Sequence, residues 1–342
     1  MGPRRSQMCE STKSLVMDYS TLASELVRAV RGRRAQGTVS QRLGFRSNVL
    51  YAWESGRSYP TAAEFLRFAE KCRVPLRQVL SQFYVKPPAW LTTMKVVATR
   101  AGVAAFLRDQ RGRTPIVELA ASTGLSRFAL SRWMKGTAEP RLPDFLHVVD
   151  ESTQRLGDWI ALFADPVQLP SFSRHWQSQL AARRAAYELP WTQPVLRALE
   201  LHAYQSLPRH EDGWIARRLG LPPETERLAL ETLALSGQIT LRGGHWCVED
   251  ASPVNLRVDP DAAARQRQFW LGVAAQRAAD TPGMFAYNIC AVSERDLARL
   301  RTLQRDFLQQ ARTIIAQSSP VEQVVLVQVQ VFALDHPART QA

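Results

Sequence analysis

Cysteine is scarce and unpaired in this 342-residue chain: Cys9, Cys72, Cys247 and Cys290 are scattered, with no Cys-x-x-Cys. That argues against a disulfide framework or a thiolate zinc site and reads as buried or incidental thiols in a reducing compartment. Long apolar runs are missing too, since no stretch approaches the roughly 20 residues of a membrane span. Arg4 and Arg5 have no hydrophobic region behind them, so no secretion signal is expected. Met1-Gly2 with Ser6 fits a myristoylation pattern that nothing else supports. The expectation is a cytoplasmic protein with no membrane partner. Catalytic signatures are absent as well: there is no His-Glu-x-x-His, no Gly-x-Ser-x-Gly and no glycine-rich phosphate loop, and the six histidines are dispersed. His245 and Cys247 stand two apart, but two ligands without partners make a poor metal site. Neither an enzyme activity nor a cofactor is expected.

The remaining shortage is of acidic charge, and it is confined to one half. Residues 1–190 hold 28 Lys and Arg against 15 Asp and Glu, a net of +13; residues 191–342 hold 16 of each. A block of positive charge favours a polyanionic partner, because each neutralised phosphate releases condensed counterion.

What the basic half contains is a repeat. Laid 28–83 on 108–163 without a gap, Arg31-Gly32-Arg33 meets Arg111-Gly112-Arg113, and Gly44 meets Gly124. Leu50, Trp53, Gly56 and Pro60 then meet Leu130, Trp133, Gly136 and Pro140, and Phe65-Leu66 meets Phe145-Leu146. These are the turn formers and large apolar residues of a small helical unit. In the first copy, periodicity predicts helices at 20–33 and 36–43, one starting near Ser47, and one at 61–72. In the second it predicts helices at 101–111, 115–123, 126–135 and 142–152. A connector of roughly fifteen residues, including Pro87-Pro88, is expected to tether two separate units at 18–86 and 96–165.

The segment Leu43-Gly44-Phe45-Arg46-Ser47-Asn48-Val49-Leu50-Tyr51-Ala52-Trp53-Glu54-Ser55-Gly56 resembles the helix-turn-helix core of Cro/repressor-type DNA-binding domains. So does Thr123-Gly124-Leu125-Ser126-Arg127-Phe128-Ala129-Leu130-Ser131-Arg132-Trp133-Met134-Lys135-Gly136, with Met134 in place of the family's Glu. The resemblance implies a third helix in the major groove of double-stranded DNA. Carried over residue by residue, it nominates Arg46, Ser47, Asn48 and Tyr51 in the first copy, and Ser126, Arg127, Ser131 and Arg132 in the second. Lys135 falls near the phosphates, and Gln36 where the family touches backbone phosphate; its counterpart is Ile116. Asn can pair adenine, and Arg can fork onto guanine. Arg42, Arg57, Arg113 and Arg141 are equally readable as phosphate contacts or as solvated charges. Ala101-Gly102 matches the cleavage dipeptide of self-cleaving repressors, but it lies inside a predicted helix and the protease domain is lacking.

Beyond a basic helical connector at 174–187, helices at 193–205, 211–219 and 223–236 precede two short alternating runs about Gly243-Gly244, which makes a winged helix at 189–250. Its own third helix carries Glu224, Glu226 and Glu231 against Arg227, so a structural or protein-contact role suits it better than DNA. At 256–334, helix 259–279, strand 284–292, helix 294–317 and strand 321–333 predict a small αβαβ unit for control or dimerisation. Residues 189–334 also resemble an uncharacterised bacterial domain that follows helix-turn-helix segments in predicted regulators. Its carriers are Trp214-Ile215-Ala216-Arg217-Arg218-Leu219-Gly220-Leu221, Ala229-Leu230-Glu231-Thr232-Leu233 and Val327 through Leu334.

The sequence therefore predicts a mainly α protein: two tandem four- or five-helix helix-turn-helix domains, then a winged helix and the αβαβ unit. The expected function is sequence-specific transcriptional regulation, with homodimerisation through the C-terminal half. The alternative is a protein-interaction scaffold built from degenerate modules, and a DNA-processing enzyme subunit stands third.

Overall fold

A computed structural model of the chain describes residues 17–84, 87–249, 259–279, 283 and 285–335. The described residues are mainly helical, with one two-stranded sheet. The first copy comprises α1 (Tyr19–Arg31), α2 (Gln36–Arg42), α3 (Val49–Glu54), α4 (Ala62–Lys71) and α5 (Leu76–Gln82). A short α6 (Ala89–Thr93) leads to the second: α7 (Arg100–Arg111), α8 (Ile116–Thr123), α9 (Arg127–Lys135), α10 (Leu142–Thr153) and α11 (Leu156–Ala161). Three helices start 80 residues apart, at 36 and 116, 62 and 142, and 76 and 156. The repeat in sequence is thus a repeat in structure, because both copies place the same apolar residues inward. Leu50 and Trp53 are buried in one, Leu130 and Trp133 in the other. Local signals fix the ends. Thr61 and Glu64 form a capping box at the start of α4, and Gly136 closes α9 in the left-handed conformation. The third helix of copy one starts at Val49, two residues later than expected, which leaves Arg46 and Ser47 in the preceding turn.

The two copies are not separate units on a tether. One continuous core runs from Leu22 through both copies to Trp176. Helix α1 packs against α10 of the other copy, and α7 against α4. At the join, Ala62 N–H donates to Pro140 O at 3.0 Å and Leu142 N–H to Pro60 O at 2.8 Å. Phe65 packs tilted on Trp159 and edge-on to Phe163 of the other copy, and Trp159 meets Phe145 edge-on. The apolar residues that would have cored two small domains instead bury one another.

The basic connector is helix α12 (Pro170–Glu188), and its first half completes this core with Phe172 and Trp176. Arg183 forks onto Asp158 at 2.7 and 2.8 Å, and Ser171 donates to Glu25. A Cβ on Gly157 would stand 2.1 Å from the Trp176 ring. Gly157→Ala should therefore destabilise the chain by about 3 kcal/mol, read as a lower denaturant midpoint. An unchanged midpoint would mean that α12 does not pack here.

Downstream, α13 (Thr192–Leu199), α14 (His202–Gln205), α15 (Trp214–Leu219) and α16 (Pro223–Leu235) precede the antiparallel pair β1 (Ile239–Arg242) and β2 (His245–Val248). They surround their own core of Val195, Leu199, Tyr204, Ile215, Leu230 and Ile239. Glu226 does not belong to the exposed acidic face expected of α16. It is buried, and its Oε2 accepts the Ala216 amide at 2.6 Å. Cys72 is a buried free thiol and Cys290 an exposed one.

The αβαβ unit is corrected. Its helices are present as α17 (Pro260–Arg277) and α18 (Glu294–Gln317), but among the described residues 285–292 and 321–333 pair in no sheet. The run 321–333 is held by isolated bonds: His202 N–H to Val321 O, Arg218 to Glu322 O and Gln304 to Val329 O. Alternating β-branched residues supply strand propensity, yet two strands have too little apolar cover to form a sheet alone. Residues 85–86, between the copies, and 284, the start of the first expected strand, lie outside the described residues.

Candidate nucleic-acid interface

The nominated residues fall on the outer side of each copy, since the inward positions of α3 and α9 are occupied by Leu50, Trp53, Leu130 and Trp133. Arg46, Ser47, Asn48 and Tyr51 are exposed, and so are Ser126, Arg127, Arg132 and Lys135; Ser131 and Gln36 are half-buried. Arg57 lies over the Tyr51 ring at 5.2 Å, and Arg127 over Phe128 at 4.8 Å. Those stacks place two guanidinium groups beside flat, exposed rings. Of the four doubtful arginines, Arg113 pairs with Asp306 and Arg141 donates to Tyr59 O at 2.8 Å. Arg42 and Arg57 remain exposed.

Behind the first surface stands a buried polar network that sequence reasoning did not assemble. Glu54 is buried and receives Arg31 on both oxygens, with Nη2 at 3.0 Å from Oε2. Its Oε2 also accepts Gln36 Nε2 at 2.7 Å. Gln36 Oε1 in turn accepts Asn48 Nδ2 at 3.4 Å, and Ser40 Oγ donates to Asn48 Oδ1 at 3.3 Å. The hydrogen bonds to Glu54 hold the Arg31 guanidinium above its ordinary range. The chain Arg31–Glu54–Gln36–Asn48 thus orients an exposed amide from a buried charge.

The second copy keeps the backbone part of this network and loses the rest. Arg28 donates to Glu54 O at 3.0 Å, and Arg108 to Met134 O at 2.6 Å. Arg31 Nη1 donates to Arg34 O at 2.7 Å, and Arg111 Nη1 to Thr114 O at 3.0 Å. With Met134 for Glu54 and Ile116 for Gln36, however, Arg111 Nε is buried without a partner. The Asn48 position is held by Phe128, 66% exposed, and the Gly37 position by Val117, 64% exposed. Copy one offers an oriented polar group where copy two offers an apolar ring flanked by Arg127.

The third unit has a different character. His210 sits between Glu226 Oε1 at 3.7 Å and Asp212 at 3.5 Å, with the Tyr204 hydroxyl 3.2 Å away. Burial pushes its pKa below the ordinary value of about 6.5, despite the two carboxylates. A lowered imidazole pKa means the folded state resists protonation. Its contribution is complete above pH ~6.5 and is lost as pH falls through the folded value. His210→Gln should flatten the acid-side fall in stability, measured by urea unfolding at pH 7 and pH 5. An equally steep fall would assign that loss to other groups. Among the described residues, no group of three or more His, Cys, Asp or Glu could hold a metal, and no helix is long and apolar enough to cross a membrane.

Residues 173–334 match a family described as a domain of unknown function (DUF4423). The match begins inside α12 and spans the third unit, α17 and α18, and so lies outside both copies of the repeat. No curated protein and no solved structure matches the chain.

Proposed function

We propose that the chain is a sequence-specific, DNA-binding transcriptional regulator whose two repeat copies are helix-turn-helix readers. The observation that carries the reading is the outward display of Arg46, Asn48, Arg127, Arg132 and Lys135 on two equivalent helical units, in the half of the chain that holds the whole net charge of +13. Fragments of genomic DNA retained by the full chain should share one sequence. Retention without a common sequence would reduce the activity to charge alone.

The C-terminal half is proposed as the control region and the contact between two chains. Its runs 285–292 and 321–334 present Tyr287 and Ile289, 87% and 80% exposed, beside backbone that pairs in no sheet. Extended backbone without ladder partners is open to pairing with another chain.

A second reading is favoured by one observation. Val117 and Phe128 are both apolar and exposed on copy two, where copy one has Gly37 and Asn48. Copy two would then be a protein-binding module and copy one the sole reader. Alanine at Phe128 would weaken a protein complex and leave DNA binding unchanged.

A further inference from the structure

Resting on the DNA-binding reading, we infer that a single chain recognises an inverted repeat with two unequal arms. The ground for this is the symmetry of the join. Thr61 and Arg141, which bridge the copies, are equivalent residues, 80 apart. The bond from Ala62 to Pro140, when the copies are exchanged, becomes the bond from Leu142 to Pro60, and both are present. The packing of α1 on α10 likewise becomes that of α7 on α4, and both are present. Contacts that return on exchange are the mark of a two-fold relation; a head-to-tail repeat would use one surface of each copy against a different surface of the other.

Two readers related by a two-fold axis dock equivalently on DNA only when their half-sites are inverted, because the duplex backbone carries matching two-fold axes. Readers stacked in line would require direct repeats instead. The shared core makes this geometry a fixed property of one chain.

The arms are unequal because the displayed residues are. Copy one shows Arg46, Asn48 and Tyr51, suited to guanine and adenine. At the same positions copy two shows Ser126, Phe128 and Ser131, with Arg127 and Arg132 where copy one has Ser47 and Ala52. Arg127 suits guanine, and the exposed Phe128 ring suits a thymine methyl group. One arm is thus read by an amide braced on Glu54, the other by arginine beside an apolar ring.

The test is selection of duplexes from a randomised library by the full chain and by two variants, Asn48→Ala and Arg127→Ala. The expected motif has two different arms in inverted orientation. Each variant should lose discrimination, roughly ten- to hundredfold, in one arm only, and in opposite arms. Direct repeats, or a motif with one arm, would overturn the inference while leaving DNA binding intact. So would a symmetric palindrome whose two arms respond to the same substitution, since its dyad would then lie between two chains. A chain that retains no duplex at low salt would sink this inference and the DNA-binding reading together.

Discussion

Raising the salt from about 50 to about 200 mM should weaken the full chain's hold on its selected duplex about a thousandfold or more. The size follows from the number of phosphates engaged. The affinity exponent falls by about 0.9 per phosphate contact, so six contacts across two readers give a thousandfold loss over a fourfold change in salt. Six is a modest demand here, because Arg42, Arg57 and Lys135 are exposed beside the recognition helices and their half of the chain carries the whole net charge of +13. The C-terminal residues 191–342, with equal numbers of acidic and basic groups, should add little to the slope. Arg42→Ala together with Lys135→Ala should reduce the exponent by about two. Weak binding that ignores salt would mean that the positive half does not face a polyanion.

The second large effect concerns the buried charge. Glu54→Ala should cost about 3 kcal/mol of stability, because Arg31 and Gln36 lose their acceptor inside the fold. That is more than a hundredfold in the folded-to-unfolded ratio. Copy two fills the same position without charge and leaves only Arg111 Nε without a partner, its Nη1 still bonded to Thr114 O. The double change Glu54→Met with Gln36→Ile should recover part of the loss, because it replaces both polar partners at once and leaves Arg31 its bonds to Gly32 O and Arg34 O. Chemical denaturation of the three proteins checks this. If the double variant is as unstable as Glu54→Ala, the network is not the cause. If Glu54→Ala is neutral, the carboxylate carries no buried load.

Much of the fold of the two copies is legible in the sequence. The helices of both copies follow from apolar spacing, from Gly44, Gly124 and Gly136 at turns, and from the 80-residue register. The outward residues came from the resemblance to Cro/repressor-type domains, and the inward packing of Leu50, Trp53, Leu130 and Trp133 is consistent with their exposure. The sharing of one core was not. Phe65, Phe145 and Trp159 are apolar whether they pack within a copy or across the join, and sequence patterning does not distinguish the two. The burial of Glu226 is not legible for a related reason: helical position places it on a face, but its burial depends on the Ala216 amide ten residues away. The runs 285–292 and 321–333 failed as strands because alternation reports propensity and says nothing of a pairing partner. One missed feature had a signal. Glu54 and Gln36 both differ from their counterparts, Met134 and Ile116, and a joint change of two polar residues to apolar ones points to contact between them.

The central claim is that the outward residues of α3 and α9 meet DNA, and amide hydrogen exchange tests it most directly. The full chain is compared free and saturated with its selected duplex, at low salt. Exchange should slow at residues 46–54 and 126–135, with smaller changes across the shared core. Slowing confined to residues 193–248, or no slowing in either repeat copy, would contradict the account.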